Sequence, residues 1–510
     1  MLKAPTFLSR LVPQSWLNVF SPQRLFIFLS PPFSLILLSA LILSGCAPQS
    51  GYLPHDLTSM PQHPLSYLQP ESAYVELLSE QEHQALTQNF LAHHFSPWKA
   101  QGPLPETGSP FWAVEWIQSK PVFGLSLLAL ETDEIQQLVQ QAAPQDYPSC
   151  ALHAITLTHV DVRALPTAAP IFNDPRKVGE GFPFDYLQHG VLPCGTPVVV
   201  THMSPERNWV FIETTLLYGW VPAPDIAWTD AAFEDTFNTQ DYVVALEDNH
   251  PVRSTGEYSK DSRDTHLIGC PDAPPSERTY PATRIGTIFP LLQRSDGTYT
   301  VAVPTVDAYG NAVAHSAVVS TEAAHLFPLP FTPERVAALS TRFMGQPYSW
   351  GDRFSGRDCS GTMRDLFTPF GIWLPRNSSA QTTVGTVIPL ENIPLNQRSA
   401  LIHTAGIPFA TLVHLPGHIM LYLGEYQGKI IVLHTLWGIR HHSFSGKESR
   451  IHVGRTVVTS LEPGAELDTW FSGTNSLLKR LDQINIPHMQ QLPVPESASD
   501  RTSPPRGNKL

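Results

Sequence analysis

A turn-rich stretch, residues 344–361, ends in Asp358-Cys359-Ser360-Gly361 and leads into apolar residues at Met363, Leu366, Phe367 and Phe370. That spacing predicts a helix with Cys359 at or near its N-terminus. Unpaired backbone N–H groups and the helix dipole there favour a thiolate, the form that attacks a carbonyl carbon. Downstream, Gly417-His418-Ile419-Met420-Leu421-Tyr422-Leu423-Gly424 reads as a strand with a histidine at its start. Ile430-Ile431-Val432-Leu433-His434 reads as a second strand with a histidine at its end. A cysteine opening a helix and two histidines on adjacent strands supply a nucleophile, a base and an orienting group. His414 lies four residues before His418, but Pro416 and Gly417 break any helix that would put both rings on one face. No metal and no organic cofactor is expected.

The remaining chain bounds where this chemistry can sit. At 510 residues it has room for three or four domains, and 42% apolar content is enough to build cores. With 49 prolines and only 15% charged residues, loops and short strands are expected over long helices. A net charge of −13 argues against a nucleic-acid or anionic-membrane binder.

Lys3, Arg10 and Arg24 precede an apolar run from Leu25 to Leu43, broken by Pro31-Pro32 and ending in Leu43-Ser44-Gly45-Cys46. This has the basic and apolar regions of a secretory signal. The alternative is a single membrane anchor. The ending resembles a bacterial lipoprotein box, which implies lipidation of Cys46 in the mature protein. Ala47 at the next position then implies outer-membrane retention in a Gram-negative envelope. Of five cysteines, Cys150 and Cys194 fall in one expected domain and are open either to a disulfide or to buried thiols, with Cys270 left over.

Residues 47–70 are rich in Pro, Gln and Ser and read as a tether. Residues 71–148 read as helical, with a capping box at Ser79 and Glu82 and a second helical segment at 132–143. Short strand-like runs separated by turns fill 149–228 and recur more loosely over 229–332. The catalytic segment is expected over 333–475, and 486–510 as a disordered tail.

The order Tyr348-x-Trp350-Gly351, Asp358-Cys359-Ser360-Gly361, Gly417-His418 on a strand, then a polar residue ending the next strand, resembles the NlpC-type cell-wall cysteine endopeptidases. The resemblance covers roughly residues 335–460. The Tyr218-Gly219-Trp220-Val221-Pro222 ending likewise resembles bacterial SH3-like domains. Together these imply a multidomain α+β protein: a helical N-terminal cap, two SH3-like β-barrels and a C-terminal papain-like α+β catalytic domain. The resemblance implies Cys359, His418 and His434 as nucleophile, base and orienter. It implies Tyr348 beside the oxyanion, and Asp358, Ser360 and Ser378 as substrate contacts, with Asp358 also readable as a helix N-cap. The first SH3-like domain is expected to gate the cleft through the polar-aromatic loop containing Glu180, Asp185 and Tyr186. The implied substrate is a peptidoglycan stem peptide with a free N-terminal L-alanine, cut at the γ-D-glutamyl bond to the diamino acid. Two other readings stay open: a non-catalytic cell-wall-binding lipoprotein, and an amidase or acyltransferase on the same fold. The chain departs from the family pattern at Asp352, where a second glycine is usual, and in a fairly long insertion between Cys359 and His418.

Overall fold

The computed structural model of the protein describes residues 53–105, 109–255, 279–442, 448–468, 473–474 and 476–489. The expected signal segment with Cys46, and Cys270, lie outside the described residues, as does the tail from residue 490. No helix among the described residues is long and apolar enough to cross a membrane.

After a single helical turn at Asp56–Ser59, the N-terminal region holds α1 (Glu80–Phe95), α2 (Trp112–Ser119) and α3 (Thr132–Ala142). Helix α1 begins at the expected capping box: the Glu82 N–H donates to the Ser79 hydroxyl, and the Ser79 N–H donates to the Glu82 carboxylate at 2.8 Å. These bonds satisfy N–H groups that the helix itself leaves without acceptors. The stretch expected as a tether is folded from residue 53 onward. Asp56 is buried, its carboxylate accepting from the Ser460 N–H and hydroxyl, and Gln62 brackets the backbone of Val458. Polar side chains that looked like a spacer instead bond a strand of the catalytic sheet.

The first β region forms a seven-stranded antiparallel sheet from β1 (Leu152–Thr156), β2 (Val160–Arg163), β3 (Gln188–Leu192), β4 (Pro197–Met203), β5 (Trp209–Glu213), β6 (Tyr218–Pro222) and β7 (Ile226–Trp228). The order is β3-β2-β6-β5-β4-β1-β7. After helix α4 (Ala231–Phe237), a second seven-stranded sheet follows. Its strands are β8 (Tyr242–Ala245), β9 (Val252–Ser254), β10 (Thr279–Tyr280), β11 (Ile288–Ser295), β12 (Thr298–Val306), β13 (Ala312–Ser320) and β14 (Ala324–Phe327). Barrels were expected, but among the described residues the end strands of neither sheet pair with each other. The edge at β3 is covered rather than closed: Gln188 donates to the Gly351 carbonyl of the catalytic region, and Gly190 packs under Arg376. Cys150 and Cys194 are free thiols, donating to the carbonyls of Val200 and Leu157, so the disulfide is not formed.

The catalytic region opens with α5 (Pro333–Thr341) and α6 (Cys359–Phe367), the latter buried at every residue. The long insertion supplies β15 (Thr386–Pro389) and α7 (Leu395–Ala405). The sheet is completed by β16 (Leu412–Leu415), β17 (His418–Tyr426), β18 (Lys429–His442), β19 (Glu448–Ser460), β20 (Gly473–Thr474) and β21 (Gln483–Ile486). Its order is β15-β21-β16-β17-β18-β19, with β20 on β18. Strand β21 lies between β15 and β16, so the catalytic region runs past residue 475 and Ile486 is sheet, not tail. Apolar residues of β21, such as Ile484, complete the core beneath α7.

One hydrophobic core crosses all these regions. It joins Phe90 and Phe95 of α1, Phe233 of α4, Tyr242 of β8, Ile288 of β11, Met363 and Leu366 of α6, and Leu421 and Leu433 of the catalytic sheet. Each fully buried side chain of this size contributes roughly 1.5–3 kcal/mol, so the pieces are held as one body.

Candidate active site

Cys359 is the first residue of α6, and Asp358 is its N-cap. The helix packs against β17 and β18, which brings His418 and His434 to its N-terminal end. Cys359 is 8% exposed, His418 7% and His434 0%. Cys359, Tyr348 and His418 line one cavity of about 60 Å³. The Ile419 N–H reaches the Cys359 sulfur. The first N–H groups of α6, that of Cys359 among them, have no acceptor within the helix and are available to an oxyanion.

The histidines form a relay whose proton positions follow from its far end. The Thr459 hydroxyl donates to the Ser460 carbonyl at 2.7 Å. Its single proton is thereby used, so at 3.1 Å it accepts from His434 Nε2–H. His434 Nδ1 is then an acceptor, and His418 Nε2–H donates to it at 2.9 Å. This leaves His418 Nδ1 unprotonated, a base in the cavity it shares with Cys359. Burial holds His434 down to about 3, and burial with the neighbouring His434 holds His418 well below the usual imidazole range. Both rings rest neutral. Burial, then the Asp358 charge, pushes the Cys359 thiol up to about 12 against the opposing pull of the Ile419 N–H and Arg376. Burial thus works against the thiolate that the helix start favours. Tyr348 is pushed well above its ordinary value by burial, then by Asp358 and Cys359, so its hydroxyl stays a proton donor beside the sulfur.

Asp358 does not present a vacant carboxylate. Its oxygens accept from the Gly361 N–H at 2.8 Å, the Ser360 hydroxyl at 2.9 Å, the Gly351 N–H at 3.1 Å and the Arg376 guanidinium at 2.7 and 3.1 Å. Burial alone would raise it, but Arg376 holds it below the usual carboxylate range. The N-cap reading describes the residue; the substrate-amine role does not fit a carboxylate so engaged. Ser360 is also bound inward, accepting from Arg376 at 2.9 Å, and Ser378 is buried at the start of the short turn Ser378–Gln381. Asp352, at the family's glycine position, takes φ 63° and extends this network, lying 3.2 Å from both Arg364 and Arg376. Arg357 pairs with Asp248 and Asp365, which ties the second sheet to the catalytic helix.

The loop expected to gate the cleft divides in two. Phe184 and Gly179 line the nucleophile's cavity, Phe184 meeting Trp350 and Trp437 edge-on at 5.3 and 5.7 Å. Glu180 and Tyr186, hydrogen-bonded at 2.9 Å, line a different cavity of about 830 Å³ with Trp112, Trp116 and Arg376. Asp185 is buried between Arg163 and Arg353 at 2.6 Å each and holds the loop rather than a substrate. The sequence reading missed Phe184 and Trp437, and also Arg440, Arg450 and Arg480, which line the nucleophile's cavity. Trp437 was findable, since it follows His434 on the same strand. His414 is bonded to Asp482 at 2.7 Å.

Residues 345–452 match the NlpC/P60 family model. Residues 35–147 match the N-terminal stabilising domain of NLPC_P60 proteins, and residues 170–222 an SH3 domain of the SH3b1 type. A gamma-D-glutamyl-L-lysine dipeptidyl-peptidase of Bacillus subtilis (strain 168) is 25% identical over 139 residues, 27% of this chain and 42% of that one. Its counterpart from Bacillus cereus (strain ATCC 10987 / NRS 248) is 33% identical over 84 residues, 16% of this chain and 23% of that one. The match thus spans less than half the length of these curated relatives. A solved structure described as a novel NlpC/P60 endopeptidase from Photobacterium damselae subsp. piscicida shares the fold at TM-score 0.73. It is 22% identical, over 84% of this chain and 98% of that one.

Proposed function

Because residues 345–452 make this chain a member of the NlpC/P60 family, whose members are cysteine peptidases that hydrolyse peptidoglycan, we propose that it cleaves the γ-D-glutamyl bond to the diamino acid in peptidoglycan stem peptides. The observation that carries this reading is the 2.9 Å bond from His418 to His434 behind a cavity that His418 shares with Cys359. His418 Nδ1 takes the thiol proton as Sγ forms a bond to the scissile carbonyl carbon. The oxyanion is met by the Cys359 N–H and the Tyr348 hydroxyl. As the C–N bond breaks, His418 returns the proton to the leaving amine, and a thioester remains on Cys359. Water, losing a proton to His418, hydrolyses that thioester to release the free carboxylic acid and the thiol.

A preference for short peptides beginning with L-alanine is supported by the 179–186 loop walling one side of the cavity, and not by Asp358. The anchor expected at Cys46 would hold the enzyme in the envelope; incorporation of a palmitate analogue, lost in Cys46→Ala, tests that part separately. The main test is purified protein on L-alanyl-γ-D-glutamyl-diamino acid tripeptides, with products identified by mass spectrometry. Release of the free diamino acid by wild type, and none by Cys359→Ala with an unshifted thermal transition, is the expected result. Cleavage at another bond, or turnover that survives Cys359→Ala, would reject it.

A further inference from the structure

Strand β19 lies at one end of the catalytic sheet, with β18 on its inner side. The outer side of such a strand carries backbone groups that no neighbouring strand takes up. Residues 345–348 cover part of it, Gly345 and Tyr348 donating to the carbonyls of Thr456 and Gly454. The N-terminal segment covers the rest. Gln62 donates to the Val458 carbonyl at 2.9 Å and accepts from its N–H at 3.1 Å. Asp56 accepts from the Ser460 N–H at 2.8 Å and the Ser460 hydroxyl at 2.7 Å. Leu57, beside it, packs on the apolar cluster that holds Leu436 and Ile439, which also line the nucleophile's cavity. Covering an edge needs no charge, as Gln62 shows. Asp56 is nonetheless a carboxylate only 3% exposed, and among the described residues it pairs with no cation. A buried carboxylate held in that way is costly, which points to a task beyond edge cover.

What Asp56 grips is the far end of the histidine relay. The Ser460 carbonyl is the acceptor that takes the Thr459 proton at 2.7 Å. Asp56 holds the same residue by its N–H and its side chain, so that carbonyl keeps one orientation. With the carbonyl in place, Thr459 accepts from His434, and His434 accepts from His418. Were the carbonyl to turn away, the Thr459 hydroxyl could donate to His434 Nε2 instead. His434 would then carry its proton on Nδ1 and donate to His418 Nε2, and the His418 proton would move to Nδ1. The site would keep every group and lose its base.

We propose that Asp56 is a positioning residue for the reaction: through Ser460 and Thr459 it fixes the relay in the tautomer that leaves His418 Nδ1 free as the base. The segment at 53–62 is then part of the catalytic apparatus as well as a cover for the sheet. The inference rests on the proposed function for its effect on turnover, and on the relay alone for its effect on the tautomer. An amide at position 56 keeps an acceptor for both Ser460 donors, but a neutral one, whose bonds are weaker than those to a carboxylate. A methyl group keeps none.

Two readouts on the full chain test this. One is the tautomer of His418 and His434, from the ring-nitrogen chemical shifts of isotope-labelled histidine, which needs no substrate. The other is turnover of an L-alanyl-γ-D-glutamyl-diamino acid tripeptide. Asp56→Ala is expected to lower kcat roughly threefold to tenfold with little change in KM, and to move both rings toward the other tautomer. Asp56→Asn should recover part of the rate. In a Thr459→Val background, where the link is already cut, Asp56→Ala should lower kcat no further. A lower melting temperature with tautomers and kcat as in wild type overturns the proposal, because edge cover alone would give that result. An equal further loss of kcat in the Thr459→Val background overturns it too. Should Asp56→Ala fail to fold, Ser460→Ala, which gives up only the hydroxyl half of the grip, takes its place in every comparison. A tautomer shift in a protein that turns over no tripeptide upholds the role of Asp56 and rejects the endopeptidase reading instead.

Discussion

Cys359 sits where two effects compete. The start of α6 offers N–H groups and a dipole that stabilise a thiolate, but the sulfur is buried and Asp358 adjoins it. Desolvation outweighs the dipole, whose stabilisation at a helix end is about 0.3–1 kcal/mol when exposed. Burial thus favours a neutral thiol beside a neutral imidazole, with ionisation left to the moment of attack. Iodoacetamide should therefore label Cys359 slowly near neutrality, with a rate that climbs through pH 9 without a plateau. A plateau between pH 6 and 7 would mean that a thiolate–imidazolium pair is already formed. At the far end of the relay, Thr459 fixes which nitrogen of His434 carries the proton. Thr459→Val removes that acceptor and should lower kcat by roughly tenfold with little change in KM, while Thr459→Ser keeps nearly full rate. If Thr459→Val is as fast as wild type, the tautomer is set by something else. His434→Ala should be slower still, and His434→Gln should recover part of the rate.

Helix α6 is built around a substitution that the family pattern makes conspicuous. Asp352 lies in the left-handed region, which a glycine adopts freely and an aspartate tolerates, and its carboxylate sits against Gly361. A Cβ at Gly361 would meet that carboxylate directly. In an exposed helix alanine is better than glycine by about 1 kcal/mol; here Gly361→Ala should lower the melting temperature instead. Made on top of Asp352→Gly, the same change should cost much less, because the clash is gone. An equal loss in both backgrounds, read by thermal denaturation, would show that the two positions are uncoupled. At this scale the sequence was legible wherever contacts are local. The Ser79–Glu82 box, the helix opening at Cys359 and the strand beginning at His418 all rest on neighbours a few residues apart, whereas the strand expected to end at His434 runs on to His442 because β19 pairs with it that far. Features that rest on distant partners were not legible. Asp56 and Ser460 are separated by 404 positions, so nothing near residue 56 announced that its segment would fold onto β19. Strand β21 precedes a proline-bearing, polar stretch and is specified by β15 and β16. Asp358 looked available to a ligand because Arg376, its partner, is 18 residues on. In the first sheet the edge at β3 is covered by the catalytic region, a contact between residues 188 and 351 that no local pattern announced.

The molecule as a whole carries several imidazoles kept neutral inside. His202, His418, His434 and His488 are buried, and burial lowers each, His434 to about 3 and His488 to about 4. Unfolded, each titrates near 6.5. A depressed folded value means the stabilisation is present above about pH 6.5 and is lost as pH falls through the folded values. The melting temperature should therefore fall progressively from pH 6.5 to 4, in a single transition because one core unites the regions. A melting temperature at pH 5 equal to that at pH 7 would contradict this.

The loop bearing Phe184 forms one bank of the nucleophile's cavity and is fastened from behind, with Asp185 locked between Arg163 and Arg353 and Gln188 bonded to Gly351. Such a bank does not swing on a hinge. A polymer strand held at both ends would have to part the walls to enter, whereas a loose end slides in. The entrance is a letter slot rather than a jaw. For the reaction proposed above, that shape favours a thin free end, and a substrate made by another lytic reaction would meet it best.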